Sequence, residues 1–123
     1  RHAVELFREV VDLPEMMCKS HLAVATAGLG TLTELALTHT PAILLAAVGH
    51  QIQNAIKFAS VGGVLNCAHS PGVLDESFGD AFIGLVRQPN RLTEMSNRWR
   101  GLVDAYGIER LTSIIMERVR RGT

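Results

Sequence analysis

Residues 21–46, HLAVATAGLGTLTELALTHTPAILLA, contain the alternation of elements that decides the fold. Residues 21–25 form an apolar run of strand length, a turn with two glycines follows, and a helical pattern starts near Thr31 and continues to about His39. Residues 42–46 are apolar throughout. This lack of alternation is typical of a parallel strand covered on both faces, so we expect the strand at the centre of its sheet.

The flanking segments continue the alternation. In chain order they predict a strand at residues 3–7, a short helix capped by Asp12 and passing through Cys18, a helix from Gln51 to the glycines at 62–63, and a strand at 64–67. Strands that alternate with helices imply right-handed crossovers and a parallel sheet. The predicted fold class is therefore α/β, a Rossmann-like parallel sheet with helices on both faces.

Beyond residue 72 the sequence becomes purely helical. Apolar residues recur at helical spacing in three segments: Val73, Leu74, Phe78, Phe82 and Leu85; Leu92, Met95, Trp99, Leu102 and Tyr106; Ile108, Leu111, Ile115 and Val119. We interpret these stripes as packing faces and Pro89 as the break between the first two. The chain then divides into a partial α/β domain, residues 1–89, and C-terminal helices, residues 90–123, which pack on that domain or on a domain missing from this chain.

The charge balance excludes some classes of partner. Twelve Lys and Arg residues offset twelve Asp and Glu residues in a chain of 123 residues, so no electrostatic footprint for nucleic acid is visible. No apolar run approaches the roughly 20 residues of a membrane span, and the N-terminus lacks the regions of a signal peptide, so we predict a cytoplasmic protein. The arginines near the end, Arg110, Arg118, Arg120 and Arg121, are typical of the last turns of a solvated helix.

No residue pattern indicates a metal site, a redox centre or a complete catalytic site. Cys18 and Cys67 lack CxxC spacing and lie among apolar neighbours, where a reduced thiol packs as a small hydrophobe. The histidines show no zinc-ligand spacing, and no nucleophile has a recognisable base nearby. We therefore predict no cofactor, no metal and no catalytic residue. Because the chain starts at Arg1 without a methionine, we expect an excised fragment.

The first candidate binding loop is the glycine turn TAGLGTLTE, residues 26–34. Small residues allow backbone N–H groups at a helix N-terminus to approach a phosphate, although the spacing is neither GxGxxG nor that of a P-loop. The candidates are Ala27, Gly28, Leu29, Gly30 and Thr31. Thr31 and Glu34 also have the spacing of a capping box, and from the residues alone this structural role of Glu34 is favoured over a ligand contact.

The second candidate loop, residues 47–51, leaves the next strand. Ligands of parallel sheets bind beyond the carboxyl ends of the strands, where both loops are expected. His50, Gln51 and Asn54 follow, and the last two lie three apart on one helical face. Their neutral donors and acceptors suit sugar hydroxyls, although each residue taken alone is better explained as a helix-terminal or surface polar group.

These segments together resemble the C-terminal domain of family 28 glycosyltransferases. The resemblance is carried by DLPEMM at residues 12–17, ATAGLGTLTELA at 25–36, Pro41, and HQIQNA at 50–55, in the family's order and spacing. It implies the GT-B architecture, in which two domains handle a sugar nucleotide. This chain would then be an incomplete GT-B C-terminal domain, in which residues 1–89 form a partial nucleotide-sugar-binding α/β domain. Its partners would be UDP or a UDP-sugar and the missing N-terminal domain.

The tail resembles a sister group more closely. Residues 95–110, and above all LVDAYGIER at 102–110, are similar to the end of the UDP-sugar hydrolases of pseudaminic acid biosynthesis and related polysaccharide-biosynthesis proteins, which often carry a DGxGxxR-like segment. In such hydrolases water attacks the anomeric carbon and UDP leaves, whereas in the transferases a lipid or saccharide hydroxyl attacks instead. Both reactions need the N-terminal domain, which supplies the catalytic base, so this chain alone is expected to be inactive.

The resemblance also implies roles for the two loops. The turn at residues 28–31 faces the diphosphate, Glu34 accepts hydrogen bonds from ribose hydroxyls, and Gln51 faces the sugar with His50 and Asn54. This reverses the preference for Glu34 as a cap. The predicted substrate-binding residues are thus Ala27, Gly28, Leu29, Gly30, Thr31, Glu34, His50, Gln51 and Asn54.

Two departures from the family pattern keep a second interpretation open. Leu29 interrupts the paired glycines usual in the hydrolase group, and Ala105-Tyr106 replace the glycine and polar residue usual after the aspartate. A non-catalytic ligand-binding or assembly module that retained the fold and lost the chemistry would permit both changes. The upstream sequence would separate the two, because an N-terminal domain with a histidine in a glycine-rich first loop favours an enzyme.

Overall fold

The computed structural model describes residues 4–72, 76–102 and 106–122, apart from the side chains of Val61 and Ile108. Within these ranges the elements are α1 (Leu13–Cys18), β1 (Ala23–Thr26), α2 (Leu29–Thr38), β2 (Ala42–Leu45), α3 (His50–Val61), β3 (Val64–Asn66), α4 (Glu76–Val86), α5 (Pro89–Arg98) and α6 (Gly107–Arg120). The alternation of strands and helices as far as β3, followed by helices, confirms the predicted α/β fold with a helical C-terminal segment.

The strands form a parallel sheet in the order β1-β2-β3. Ala42 of β2 pairs with Ala23 of β1 and with Val64 of β3, so the three strands start at the same edge. β2 is central, as predicted, and its residues Ala42, Ile43 and Leu44 are fully buried. Successive side chains of a strand point to opposite faces, so an entirely apolar strand suits a sheet that is covered on both.

Helices cover both faces of the sheet. On one face, Leu44 belongs to a buried cluster that includes Leu35 of α2 and residues of α3. On the other face, Ile43 packs in a second cluster with Leu85 of α4 and Met95 of α5. The two clusters establish the Rossmann-like arrangement and confirm that Met95 is a core residue.

The start of α1 is set by local capping. The side-chain oxygen Oδ1 of Asp12 accepts a hydrogen bond from the N–H of Glu15 at 3.0 Å. Pro14 lies in the first turn, where a missing N–H leaves no helical bond unmade. The predicted cap and short helix are therefore confirmed.

Trp99, at the end of α5, anchors that helix to the amino-terminal edge of the sheet. Its side chain is fully buried, and its Nε1 donates to the carbonyl oxygen of Thr40 at 2.8 Å. Gly62 and Gly63 make the close approach feasible: a Cβ on Gly63 would overlap the carbonyl oxygen of Met95, and one on Gly62 would overlap the indole ring. The packing role predicted for Trp99 is confirmed.

Several boundaries differ from the predictions. Residues 4–7 are exposed and form no strand in the described part of the chain, and no neighbouring strand is paired with them there; residue 3 lies outside that part. β1 begins at Ala23, because the N–H of Ala23 is the first that bonds to the neighbouring strand region, at the Pro41 carbonyl 2.9 Å away. The strand predicted from residue 21 is therefore two residues too early at its start.

The second apolar stripe is shorter than predicted. α5 ends at Arg98, and the chain turns at Gly101, whose φ of 80° suits glycine. Leu102 and Tyr106, placed on this stripe by spacing, are instead exposed by 44% and 65%. In the first stripe, the predicted positions Val73 and Leu74 lie outside the described residues.

α6 carries its predicted apolar stripe without a cover among the described residues. Leu111, Ile115 and Val119 are 57%, 52% and 67% exposed. Arg118 and Arg120 lie in its last turn, as expected for a helix C-terminus. A contiguous exposed apolar face is a typical interaction surface. No helix in the described ranges is both long enough and apolar enough to cross a bilayer.

The two cysteines lie in different environments. Neither is part of a disulfide, and Cys67 is buried as predicted. Cys18 is exposed, which contradicts its interpretation as a packed residue. α1 is short and buries only Met17, and the next residue along a helix points about 100° away from that direction.

Candidate functional site

Both predicted loops lie at the carboxyl edge of the sheet. β1 ends at Thr26 and β2 at Leu45, its register partner, so the loops that follow start side by side. The N–H of Ala27 donates to the Leu45 carbonyl oxygen at 2.9 Å, which extends the pairing into the first loop. This edge is where open parallel sheets bind their ligands.

The first loop is a tight turn around Gly28. Gly28 is the N-cap of α2, with φ −77° and ψ 146°, and no side chain caps the helix. Its N–H bonds back to the Thr26 carbonyl oxygen at 2.9 Å, and its own carbonyl accepts the N–H of Leu32 at 2.9 Å, the first bond of the helix. The turn is therefore fixed by backbone bonds on both sides of Gly28.

The first residues of α2 carry the donors that a ligand would meet. Leu29, Gly30 and Thr31 precede the first helical hydrogen bond, so their N–H groups have no acceptor within the helix. Leu29 and Gly30 are exposed and Thr31 is half-buried. Uncapped N–H groups at the positive end of the helix dipole form a natural site for an anion.

The capping box predicted from Thr31 and Glu34 is not formed. α2 begins at Leu29, so Thr31 already lies inside the helix and Gly28 holds the cap position. A capping glutamate must lie three residues after the cap, whereas Glu34 is six residues after Gly28. The half-buried Glu34 is thus not needed as a cap of α2. Its carboxylate is left available for a ligand at the glycine turn that precedes this helix.

The first two turns of α3 bring polar side chains to the glycine turn. Asn54 Nδ2 donates to the Ala27 carbonyl oxygen at 2.9 Å. Gln51 Oε1 accepts from the N–H of Ala47 at 2.7 Å, and its Nε2 lies 3.7 Å from where a Cβ of Gly28 would be. The predicted clustering of the two loops is therefore present, with Gln51 and Asn54 both half-buried between them.

His50 is placed differently from these two residues. It is the first residue of α3 and is exposed at the rim of the same edge. The predicted residues thus lie near one another, but the geometry alone leaves their contacts with a ligand as predictions. Gln51 and Asn54 each form one hydrogen bond from the side-chain amide to the protein backbone, which residue spacing could not predict.

A third loop at this edge was missed by the sequence analysis. Asn66 ends β3, and its Oδ1 accepts the N–H of Ala68 at 2.8 Å. The N–H of Gly72 then donates to the Ala46 carbonyl oxygen at 2.7 Å, which brings residues 67–72 against the second loop. The exposed His69 lies in this segment. The available signal was that a third parallel strand must also end here.

A cavity of about 650 Å³ lies away from this edge. It is bordered by the turn after α1, the end of α2 and one face of α5, and Cys18, His39 and Pro41 are among its lining residues. None of the predicted binding residues lines it. The uncapped helix donors lie at the carboxyl edge instead, and they are better suited to an anionic ligand than a cavity defined by its volume alone.

Comparison with known proteins adds to this geometry. A sequence model described as "Glycosyltransferase family 28 C-terminal domain" matches residues 2–98. The chain is 37% identical over 112 residues to the "UDP-N-acetylglucosamine--N-acetylmuramyl-(pentapeptide) pyrophosphoryl-undecaprenol N-acetylglucosamine transferase" of Crocosphaera subtropica, and 34% identical over 115 residues to the protein of that name from Synechocystis sp.. The matches cover 88% and 90% of this chain but 32% of each relative, so the chain spans about a third of their length.

A solved structure has the same fold. The crystal structure of Acinetobacter baumannii MurG matches with a TM-score of 0.77 at 19% identity, over 92% of this chain and 33% of that one. This likeness concerns the fold alone. Because the family model covers most of the sequence, and relatives above 30% identity align with nearly all of it, the chain belongs to the glycosyltransferase family 28 C-terminal domain family.

Proposed function

We propose that this chain is the UDP-sugar-binding half of a glycosyltransferase with the GT-B architecture. The observation that carries the proposal is the uncapped N-terminus of α2, which lies beside the carboxamides of Gln51 and Asn54 at the carboxyl edge of the sheet. A nucleoside diphosphate sugar has a diphosphate that suits the helix N-terminus and sugar hydroxyls that suit the carboxamides. Membership of the family supports the same assignment.

Within this proposal the turn holds the diphosphate through three amides. The N–H groups of Ala27 and Gly28 are already bonded to backbone carbonyls, so they shape the turn rather than donate to a ligand. The donors then come from Leu29, Gly30 and Thr31. An exposed helix N-terminus contributes about 0.3–1 kcal/mol toward an anion, whereas a millimolar complex needs about 4 kcal/mol. Binding therefore requires further contacts.

The further contacts come from side chains around the turn. Glu34, half-buried on α2, accepts from the ribose hydroxyls. His50, Gln51 and Asn54 face the sugar, where the Nε2 of Gln51 offers donors and the Oδ1 of Asn54 offers an acceptor, because their other amide atoms bond to the backbone. A donor and an acceptor side by side suit neighbouring hydroxyls of a sugar ring.

The transferase reaction is preferred to hydrolysis. The relatives reported above are N-acetylglucosamine transferases, and they lend no support to a special closeness to the UDP-sugar hydrolases. The hydrolase interpretation rested on the tail, of which residues 103–105 lie outside the described ranges. We accordingly propose UDP-N-acetylglucosamine as the nucleotide sugar and a lipid-linked saccharide hydroxyl as the acceptor.

The proposal assigns catalysis to a second domain. Relatives are about three times as long as this chain, and no catalytic residue is assigned within it. The C-terminal helices, residues 90–123, are proposed to continue the packing of the α/β domain through α5 and to present the exposed stripe of α6 to that second domain. The cytoplasmic location and the lack of a cofactor stay predictions.

Titration of the isotopically labelled chain with UDP tests the proposal. We expect weak binding, with amide chemical-shift changes centred on residues 27–34 and 50–54. UMP, which has one phosphate fewer, should perturb the first of these segments less. Shifts confined to residues 118–121 would indicate nonspecific pairing with arginines and would overturn the proposed site.

A non-catalytic binding module is the second candidate, since Leu29 places a 62% exposed apolar side chain at the turn where the hydrolase group has a glycine. The protein in which this chain occurs separates the two candidates. Transfer of N-acetylglucosamine from its UDP derivative to a lipid acceptor supports the enzyme. Binding of UDP without transfer or hydrolysis supports the module.

A further inference from the structure

Two carboxamides of α3 hold backbone groups of the loops at the carboxyl edge. Asn54 Nδ2 donates to the Ala27 carbonyl oxygen at 2.9 Å, and Gln51 Oε1 accepts from the Ala47 N–H at 2.7 Å. Each bond fixes which atom of the amide faces the backbone. Asn54 therefore braces the first loop, whereas Gln51 braces the second.

The Ala27 peptide unit is held from several sides. Ala27 is fully buried, and its N–H donates to the Leu45 carbonyl oxygen. The N–H of Gly28 donates to the Thr26 carbonyl oxygen. The carbonyl oxygen of Ala27 has the Asn54 amide as its partner. A buried carbonyl without a partner is unfavourable, so Asn54 sets the orientation of this peptide plane and of the chain that continues into Gly28.

We infer that Asn54 is a positioning residue, which orients the turn at residues 28–31 toward the diphosphate by holding the Ala27 carbonyl. The inference rests on the proposed function, since it takes the turn as the diphosphate site. A sugar contact affects only ligands that carry the sugar. A residue that orients the turn affects every ligand with a diphosphate, and UDP, which lacks the sugar, distinguishes the two roles.

The test compares UDP with UDP-N-acetylglucosamine, using titration calorimetry on the protein in which this chain occurs. Asn54→Ala removes the donor and favours the helix, and Asn54→Asp keeps the size but directs an oxygen at the Ala27 carbonyl. Because one hydrogen bond that orients the turn is lost, both variants should bind UDP about five- to tenfold more weakly. The UDP-sugar should lose affinity by at least the same factor, because Asn54 is also proposed to face the sugar.

Gln53→Ala is the matched control, because Gln53 is an exposed residue of the same helix. It should leave both affinities unchanged. A loss of affinity for the UDP-sugar alone identifies a sugar contact and overturns the positioning role, although the proposed function stands. Reduced melting temperatures of both variants with intact affinities overturn it as well. If the unmodified protein binds neither ligand, the proposed function itself fails.

Discussion

The two ends of the sheet are built in opposite ways. At the amino-terminal edge, Thr40 is a buried centre of hydrogen bonds: its carbonyl accepts Trp99 Nε1 at 2.8 Å, and its Oγ1 donates to the Met17 carbonyl at 2.9 Å. At the carboxyl edge, α2 starts at Gly28 without a side-chain cap. The polar groups at the amino-terminal edge bond to other groups of the protein, whereas the carboxyl edge leaves backbone N–H donors exposed.

The difference separates stability from binding. At the amino-terminal edge even the left-handed His39, with φ 55°, has its carbonyl bonded to Ser96 Oγ at 2.7 Å. All buried side-chain polar atoms in the described residues have partners. Unpaired donors remain where a ligand can satisfy them. Substitutions at the amino-terminal edge should therefore change the free energy of unfolding, and substitutions at the carboxyl edge should change nucleotide affinity.

Gly63→Ala should have the largest effect. The added Cβ would overlap the backbone carbonyl oxygen of Met95, which cannot move aside as a side chain does. We expect the free energy of unfolding, from urea denaturation, to fall by about 3 kcal/mol or more. Gly79→Ala is the control: it lies in a helix with nothing within 4 Å of the added Cβ, and it should stabilise by about 0.5–1 kcal/mol. Equal stabilities would contradict the close packing at this edge.

Trp99→Phe should have the next largest effect. It removes the hydrogen bond to the Thr40 carbonyl and leaves part of a fully buried space unfilled. The expected loss is about 2–3 kcal/mol of unfolding free energy, measured in the same way. UDP affinity under native conditions should stay within about twofold, since about 0.4 kcal/mol corresponds to that factor. A marked loss of affinity in the folded variant would show that the two ends are coupled.

Glu34→Gln exchanges a charged acceptor for a neutral one of the same shape at the carboxyl edge. If Glu34 binds the ribose, UDP affinity should fall by about 1–2 kcal/mol in calorimetry, with the melting temperature nearly unchanged. Glu94→Gln, on the exposed face of α5, serves as the control and should change neither property. Lower stability with intact affinity would assign Glu34 to the structure rather than to the ligand.

Ile115→Ser in α6 should have the smallest effect on this chain. Ile115 is 52% exposed, so the free energy of unfolding should change by less than about 0.5 kcal/mol. In a longer protein that carries the proposed second domain, the loss should be larger, because the stripe would pack on that domain. Thr112→Ser, an exposed change in the same helix, should be neutral in both proteins. If the free energy of unfolding of this chain fell by more than about 1 kcal/mol, the apolar stripe of α6 would have to pack against other residues of this chain.

Local patterns predicted much of the fold. The apolar run at residues 42–46 predicted β2, Ala42–Leu45, almost to the residue, because such a run is typical of a parallel strand covered on both faces. The cap of α1 by Asp12 was predictable because a capping side chain bonds to a backbone N–H within one turn. The start of α2 was placed two residues late, because Gly28 takes the cap position through its backbone bonds rather than through a side chain.

The site was predicted in its residue types but not in its bonds. Spacing placed Gln51 and Asn54 on one helical face, and strand direction placed that face beside the Gly28 turn. The partners of the two amides, Ala47 and Ala27, lie on backbone that no side-chain motif marks. The loop after β3 was missed because it contains no recognisable motif.

The sequence by itself determined the elements and their order, because caps, glycine turns and apolar periodicity act over a few neighbouring residues. Only the tertiary structure decided which apolar stripe is buried. The stripes of α5 and α6 have similar spacing, yet Trp99 meets the bare backbone of Gly62 and Gly63, whereas Ile115 stays half exposed. Burial requires a complementary surface opposite, and that surface is formed by residues distant in the chain.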